Sequence, residues 1–135
     1  MPVSYKDFIS TASDLLQSDC VPEIDVRTSM SRAYYGFYHI ALMYADAVNL
    51  PPVSDWAGRT HEKLSAYYEG NYNAEIEMRV RLRGIGYALK QNHRARCRAD
   101  YKLDTDLPLI GAVAHLKSCS AKADLILELS EALAA

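Results

Sequence analysis

The chain has 135 residues, of which 50% are hydrophobic and 24% are charged. A chain of this size and composition can bury a core, and we expect one domain over residues 1–135. No apolar run is long enough to span a bilayer, and the N-terminus lacks the pattern of a signal peptide, which predicts a cytoplasmic protein. The chain has an odd number of cysteines, and none are spaced like metal ligands or a redox pair, so we expect reduced thiols at Cys20, Cys97 and Cys119.

The net charge of −2 hides a strong asymmetry along the chain. Residues 79–102 carry eight cations and one acid, for a charge of +7, against seven cations and sixteen acids elsewhere. Such a segment indicates an anionic partner. The alternative is a solvated helix face whose cations pair with acids elsewhere in the fold, and the charge pattern alone leaves both open.

The first half of the chain predicts two helices. Ser4 followed by Asp7 resembles a capping box, and the helix after it should reach about Gln17. Pro22 is placed to open a second, long helix over about 23–49, which Pro51 and Pro52 end. Its apolar residues alternate four and three apart, as on a bundle helix: Met30, Tyr34, Phe37, Ala41, Tyr44 and Val48.

The second half predicts three more helices and no strand. A short helix over about 60–68 ends near Gly70, and a fourth helix over about 73–102 contains Gly84 and Gly86, which could bend it or permit close helix approach. The expected apolar residues of this helix are Ile76, Val80, Leu82, Ile85, Leu89 and Tyr101. A final helix should run over about 109–133. The sequence therefore predicts an all-α bundle of about five helices.

Arg32 and His39 form the most informative pair in the sequence. Seven residues apart on one helix, they leave it on the same side, opposite the apolar residues. Their face is mixed, and its other members are Thr28, Tyr35, Leu42, Met43 and Asp46. One interpretation places the pair in a groove or at a subunit interface that holds a phosphate. The other gives Arg32 a structural ion pair, for example with Asp46 of a neighbouring helix, and gives His39 a hydrogen-bonded interface role.

Two further sets of residues could bind a ligand. Arg94, Arg98 and Tyr101 share one helix face and could hold phosphate, although the two arginines could instead pair with Asp100 or with acids elsewhere. The four histidines lie on separate predicted helices without closely spaced carboxylate or cysteine partners, so we predict no metal site. The glycines at 84 and 86 lack the context of a phosphate-binding loop.

Several segments resemble motifs of HEPN domains. Ser31-Arg32-Ala33-Tyr34-Tyr35, with Phe37 and His39 after it, resembles the family's characteristic helix. Residues 89–94 and Arg98-Ala99-Asp100-Tyr101 are similar to an arginine-rich segment ending in Ala-Asp-Tyr in one branch, and Thr60-His61 also has a counterpart there. These motifs occur in the family's order along most of the chain. The resemblance implies an up-and-down helical bundle that forms a homodimer.

The resemblance also implies a function. Many HEPN proteins are metal-independent ribonucleases of toxin–antitoxin or defence systems, in which an arginine is followed after four to six residues by a histidine. Arg32 and His39, with six residues between them, match that motif and would be the catalytic pair, without a cofactor. In active members, two copies of the motif meet at the two-fold axis. The branch also includes non-catalytic modules that pair with a nucleotidyltransferase-type or inhibitor (antitoxin) protein, and Ala33 stands where active members often have a polar residue.

This chemistry has a physical basis in the residue types. RNA carries its own nucleophile, the 2′-hydroxyl, beside the scissile phosphate. Histidine can exchange a proton near neutral pH, and a guanidinium can brace the phosphate oxygens as charge develops. The basic segment over residues 79–102 would attract RNA, and Tyr35 or Tyr38 could stack on an unpaired base.

Overall fold

The computed structural model describes residues 2–135 and confirms an all-α bundle. Its five α-helices are α1 (Tyr5–Leu15), α2 (Glu23–Val48), α3 (Thr60–Glu69), α4 (Ile76–Tyr101) and α5 (Leu109–Ala134). A single 3₁₀ turn, Val53–Asp55, lies between α2 and α3. Over residues 2–135 there is no β-strand, and none of the helices combines the length and apolarity needed to cross a membrane.

The helix boundaries follow local chemistry. The backbone N–H of Ser4 donates to the Asp7 carboxylate at 2.7 Å, which satisfies an otherwise free donor at the start of α1. Pro22 is the residue before α2, and Gly70 follows α3. Two helices are slightly shorter than predicted: α1 ends at Leu15 and not near Gln17, and α4 begins at Ile76 and not near residue 73.

Helix α2 lies at the centre of the bundle and contacts each of the other four helices. Five of its six predicted apolar residues are buried, and the sixth, Val48 in the last position of the helix, is 38% exposed. Tyr34 and Phe37 are fully enclosed in the main core beside Tyr68 of α3 and Ile85 of α4. Burial of such large side chains is the dominant favourable term in folding.

A smaller apolar cluster joins the start of α2 to the end of α4 and the start of α5. Val26, Met30, Ala99 and Ala112 form it. Beside it, the buried guanidinium of Arg27 donates to carbonyls of Ala99 at 2.9 Å, Lys102 at 3.1 Å and Thr105. The last carbonyls of a helix have no partner within that helix, so Arg27 caps the C-terminus of α4.

The apolar face predicted for α4 was only partly right. Leu82, Ile85 and Leu89 are buried, whereas Ile76, Val80 and Tyr101 are exposed. Ile76 and Tyr101 are the first and last residues of α4, where neighbouring helices cover less of its surface. Tyr101 therefore lies at the surface, where its ring is free to contact a guanidinium or a ligand.

The two glycines of α4 differ in role, although α4 continues through both as one helix. A Cβ at Gly86 would come within 2.8 Å of Glu69 Cγ and 3.2 Å of the Ser65 carbonyl oxygen, so this glycine permits close approach of α4 to α3. A Cβ at Gly84 would meet nothing nearer than Lys122 Nζ at 3.9 Å. Close packing of α3 on α4 therefore depends on Gly86.

Candidate functional site

Arg32 and His39 lie against the same two aromatic rings. The Arg32 guanidinium is 5.5 Å from the ring centroid of Phe8, on α1, and 5.6 Å from that of Tyr35. The His39 imidazole centroid is 5.1 Å from that of Phe8 and 6.2 Å from that of Tyr35. The two rings thus hold the predicted catalytic pair side by side at the surface of α2.

The guanidinium of Arg32 is positioned by rings and not by an acid. Across residues 2–135, no carboxylate lies within ion-pair distance of it. Asp46, which was considered as an ion-pair partner on a neighbouring helix, lies near the C-terminal end of α2 itself and accepts a hydrogen bond from the backbone N–H of Ser54. Cation–π contacts orient an arginine without neutralising it, so Arg32 keeps its charge for an anionic ligand.

His39 is exposed and carries a perturbed imidazole. Partial burial beside Phe8 and Tyr35 lowers its pKa from the ordinary value of 6.5, and the charge of Arg32 lowers the pKa further. The imidazole of His39 is therefore neutral at pH 7 and able to accept a proton.

The two tyrosines predicted to stack on a base occupy different environments. Tyr35 is half-buried and contacts both Arg32 and His39. Tyr38 is 7% exposed, with its ring enclosed among Tyr34, Tyr35 and His61. Tyr38 therefore presents little of its ring to solvent, whereas Tyr35 borders solvent, and a stacking role for either tyrosine stays a prediction.

Two histidines outside the predicted site, His61 and His93, stack on each other next to Tyr34 and Tyr38. His61 in the first turn of α3 stacks on His93 of α4, with ring centroids 4.1 Å apart and planes 26° apart. His61 also contacts Tyr35 and Tyr38, which in turn contact His39. These rings form a continuous array, the Tyr–His cluster, made of Tyr34, Tyr35, Tyr38, His39, His61 and His93.

A short hydrogen bond joins the hydroxyl of Tyr34 to the imidazole of His61. The Tyr34 hydroxyl lies 2.6 Å from His61 Nδ1. Burial raises the pKa of Tyr34 far above its ordinary value, so the hydroxyl stays protonated. Burial, with the nearby His93 and Arg96, lowers the pKa of His61 to about 4. His61 is therefore neutral at pH 7.

Arg96 is also outside the predicted site, and its buried side chain lies against the Tyr–His cluster. Its guanidinium is buried, 5.9 Å from the ring of Tyr34 and 5.3 Å from that of Tyr35. Asp100 holds it in an ion pair of 3.2 Å and also accepts from the Ser31 hydroxyl at 3.3 Å. The Ala-Asp-Tyr segment thus ties α4 to α2 and fixes the rings between them.

The three residues predicted to share a phosphate site on α4 lie in different places. Arg94 lines a cleft between α3 and α4 together with His61 and His93. Arg98 lines a separate groove with Met30 of α2 and His115 of α5. Tyr101, 70% exposed, lies 5.8 Å from the guanidinium of Arg96. Of these three, Arg94 borders the Tyr–His cluster, and Tyr101 reaches it only through Arg96.

Asp100 pairs with Arg96, and within the described chain neither Arg94 nor Arg98 has the ion pair with Asp100 or with another acid that the structural alternative expects. Among the eight cations of residues 79–102, Arg81, Lys90 and Arg96 have carboxylate partners. Within residues 2–135, the other five meet none: Arg79, Arg83, Arg94, Arg98 and Lys102. The excess positive charge of α4 is therefore mostly available to an anion.

The stacked histidines do not have the geometry of a metal site. Ring nitrogens point their lone pairs in the plane of the ring, so nearly parallel rings direct them side by side and not toward one point. In the part of the chain from residue 2 onward, no three His, Cys, Asp or Glu side chains are grouped so as to hold a metal ion.

Comparison of the chain with protein-family models, curated proteins and solved structures gave no match. A function for this chain therefore rests on the side chains that its helices bring together.

Proposed function

We propose that this protein is a HEPN-like, metal-independent ribonuclease in which Arg32 and His39 act on the RNA backbone. The observation that carries the proposal is the position of both side chains against Phe8 and Tyr35, with no acid beside Arg32 in the described chain. A cation and a neutral imidazole held next to each other fit a phosphodiester that must be braced and deprotonated at a neighbouring hydroxyl.

In the proposed reaction, His39 takes the proton from the 2′-hydroxyl while the 2′-oxygen attacks phosphorus. The new P–O2′ bond forms as the P–O5′ bond breaks, which leaves a 2′,3′-cyclic phosphate and a 5′-oxygen that takes up a proton. The guanidinium of Arg32 holds the non-bridging oxygens as their charge grows. The lowered pKa of His39 keeps its imidazole in the basic form at pH 7.

A second copy of the chain would complete the site in this proposal. Ile24 and Met43 lie on the same stripe of α2 as the pair, one toward each end, and are 68% and 63% exposed. Apolar residues on either side of a polar pair suit an interface between copies. A two-fold axis there would place a second Arg32 and a second His39 beside the same phosphate, and the 5′-oxygen would take up its proton from water.

The test is incubation of RNA with the purified protein in excess EDTA. We expect cleavage by the wild type and a loss of at least about 100-fold in rate in both Arg32→Ala and His39→Ala. Lys117→Gln, which changes an exposed cation of α5, is the matched control and should cleave normally. Full activity in both site variants would refute the proposal.

A non-catalytic binding module is the second candidate. It is favoured by the exposed Ile24 and Met43 on the face of α2 that carries Arg32 and His39. On this account, the face docks a nucleotidyltransferase-type or inhibitor protein, and the pure protein leaves RNA intact. Co-purification of such a partner with the wild type, lost in Met43→Asp, together with no RNA cleavage, would favour this function over the first.

A further inference from the structure

Cys97 and His93 form a pair of a nucleophile and a base outside the Arg32–His39 site. The two residues lie one turn apart on α4, and Cys97 Sγ is 3.6 Å from His93 Nε2, which is hydrogen-bond distance for sulfur. The imidazole of His93 is itself held by its stack on His61. A nucleophile in contact with a base that a third group orients is the arrangement that activates a side chain for attack.

The contact with His93 favours the sulfur anion in either tautomer of the imidazole. An Nε2 that carries the lone pair accepts the thiol proton, and an Nε2 that carries the proton donates to the sulfur and stabilises the thiolate. Burial, with the nearby Arg96, lowers the pKa of His93, so the imidazole is neutral at pH 7 and able to take up a proton. The thiolate is the form of cysteine that attacks.

The surroundings of Cys97 are positively charged. The buried guanidinium of Arg96 is close enough to interact electrostatically with Cys97. Arg94, one turn before Cys97 on the same side of α4, has no carboxylate partner within residues 2–135. Asp100, one turn after Cys97, is occupied by its ion pair with Arg96. Positive charge beside a partly exposed thiol is the environment of reactive cysteines.

Each of the other two cysteines lacks one part of this environment. Cys20 is exposed between α1 and α2, and in the described chain no histidine lies within hydrogen-bond distance of its thiol. Cys119 contacts His115 at 3.7 Å with the same spacing of four residues, but Cys119 is buried, and burial raises the pKa of its thiol to about 12. Of the three cysteines, Cys97 is the one that combines exposure with a base.

We propose that Cys97 is a redox-modification site, which hydroperoxides oxidise to a sulfenic acid with His93 as the base. With hydrogen peroxide, the sulfur attacks one peroxide oxygen, so that an S–O bond forms as the O–O bond breaks. The thiol proton passes through His93 to the leaving oxygen, which departs as water. The sulfur is thereby oxidised by two electrons, and the peroxide is reduced.

The oxidised sulfur lies where it would affect the Tyr–His cluster. The new hydroxyl must be accommodated within the 3.6 Å contact between Sγ and Nε2 of His93. His93 stacks on His61, and His61 contacts Tyr35 and Tyr38. Oxidation of Cys97 would therefore shift the rings that lie behind Arg32 and His39. This chemistry does not depend on the proposed ribonuclease function, since it needs only the thiol and its neighbours.

The test measures the oxidation of each cysteine separately in the full, reduced chain. Hydrogen peroxide is added at pH 7 together with dimedone, which traps sulfenic acids, and mass spectrometry follows the labelling of each cysteine peptide over time. We expect Cys97 to be labelled at least about tenfold faster than Cys20, because an unactivated thiol is only a few per cent thiolate at pH 7. Cys119 should stay unlabelled in the folded protein.

His93→Gln removes the base and keeps a polar side chain in its place. The variant should slow the labelling of Cys97 about tenfold and leave that of Cys20 unchanged. Labelling of the buried Cys119 in the same sample reports unfolding. If Cys119 becomes labelled, the variant has unfolded, and the comparison of Cys97 with Cys20 in the wild type decides alone.

A wild-type Cys97 that reacts no faster than Cys20 would overturn the proposal, and so would an unchanged rate at Cys97 in a folded His93→Gln. NMR of the histidine side chains tests the effect on the cluster. The signals of His93 and His61 should shift when the wild type is oxidised and should stay in place in Cys97→Ser. Unshifted signals in an oxidised wild type would contradict the effect on the Tyr–His cluster.

Discussion

Arg96 and Asp100 form a 3.2 Å ion pair one turn apart on α4, and this pair fixes a buried guanidinium against the rings of Tyr34 and Tyr35. Asp100 also accepts from Ser31, so a single carboxylate joins α4 to α2. The rings that Arg96 touches are those that connect Arg32 and His39 to the α3–α4 cleft. The pair therefore supports the architecture of the whole candidate site.

Asp100→Ala should lower the free energy of unfolding by about 2–3 kcal/mol, because it leaves Arg96 buried without a counter-charge. This expected loss is smaller than the loss for a fully buried ion pair, because the Asp100 side chain is 29% exposed. Urea denaturation gives the measurement. Asp104→Ala, an exposed acid with no ion pair in the described chain, is the control and should change stability by less than about 0.5 kcal/mol. Equal stabilities of the two variants would contradict this role for Asp100.

Gly84→Ala and Gly86→Ala should have opposite effects on stability. Alanine favours a helix over glycine by about 0.5–1 kcal/mol, and the Cβ at residue 84 has open space, so Gly84→Ala should stabilise the protein by that amount. At residue 86 the Cβ would clash with Glu69 and the backbone of Ser65, so we expect a loss of about 1–3 kcal/mol. Thermal unfolding of both variants decides the point, and stabilisation by both would show that α3 does not need the close approach.

Arg27→Met should be one of the most destabilising single substitutions in the chain, with a loss of about 2–4 kcal/mol. Methionine fills a similar volume but removes the donor to the buried Ala99 carbonyl, one of the two donors to the Lys102 carbonyl, and the ion-pair partner of Glu23. Chemical denaturation measures the loss. Arg59→Met removes an arginine whose side chain is 87% exposed and should be nearly neutral. A near-neutral Arg27→Met would mean that water or other donors replace the cap.

The stability of the protein should fall as the pH drops from about 6.5 toward 4. Burial is the main cause that lowers the pKa values of His61, His93 and His115, with His61 reaching about 4. The unfolded chain therefore binds protons more readily than the folded chain in this window, and stability present above pH 6.5 is lost as the pH falls.

The urea midpoint measured at several pH values tests this dependence. His61→Gln should show a smaller loss between pH 7 and pH 4.5 than the wild type, because one of the titrating groups is gone. An unchanged pH profile in that variant would show that His61 titrates normally in the folded protein.

The helices, and the face shared by Arg32 and His39, could be predicted because they depend on spacing within one segment. Met30 through Tyr44 repeat four and three apart, and that period placed α2 in the core with its mixed face outward. The capping pattern at Ser4 and the break before Pro22 are also local signals, and they predicted where α1 and α2 begin.

The stacking of His61 on His93 could not be predicted, because it depends on how two helices pack. Gly86 lets α4 approach α3 at Ser65, and seven residues later along α4 this register brings His93 against His61. Arg96 was missed for a similar reason. In the sequence, Arg96 is one of eight cations in residues 79–102. What distinguishes Arg96 from the other seven is its burial against α2, which the sequence does not show. Its spacing of four from Asp100 was the available local signal.

The most direct test of the central proposal uses two matched oligonucleotides in excess EDTA: an RNA, and the same RNA with 2′-deoxy units at the cleaved positions. We predict that the wild type cuts the RNA to 2′,3′-cyclic phosphate ends, leaves the 2′-deoxy substrate intact, and loses the reaction in His39→Ala. Cleavage of the 2′-deoxy substrate, a requirement for added metal, or unchanged cleavage by His39→Ala would contradict the proposed role of Arg32 and His39.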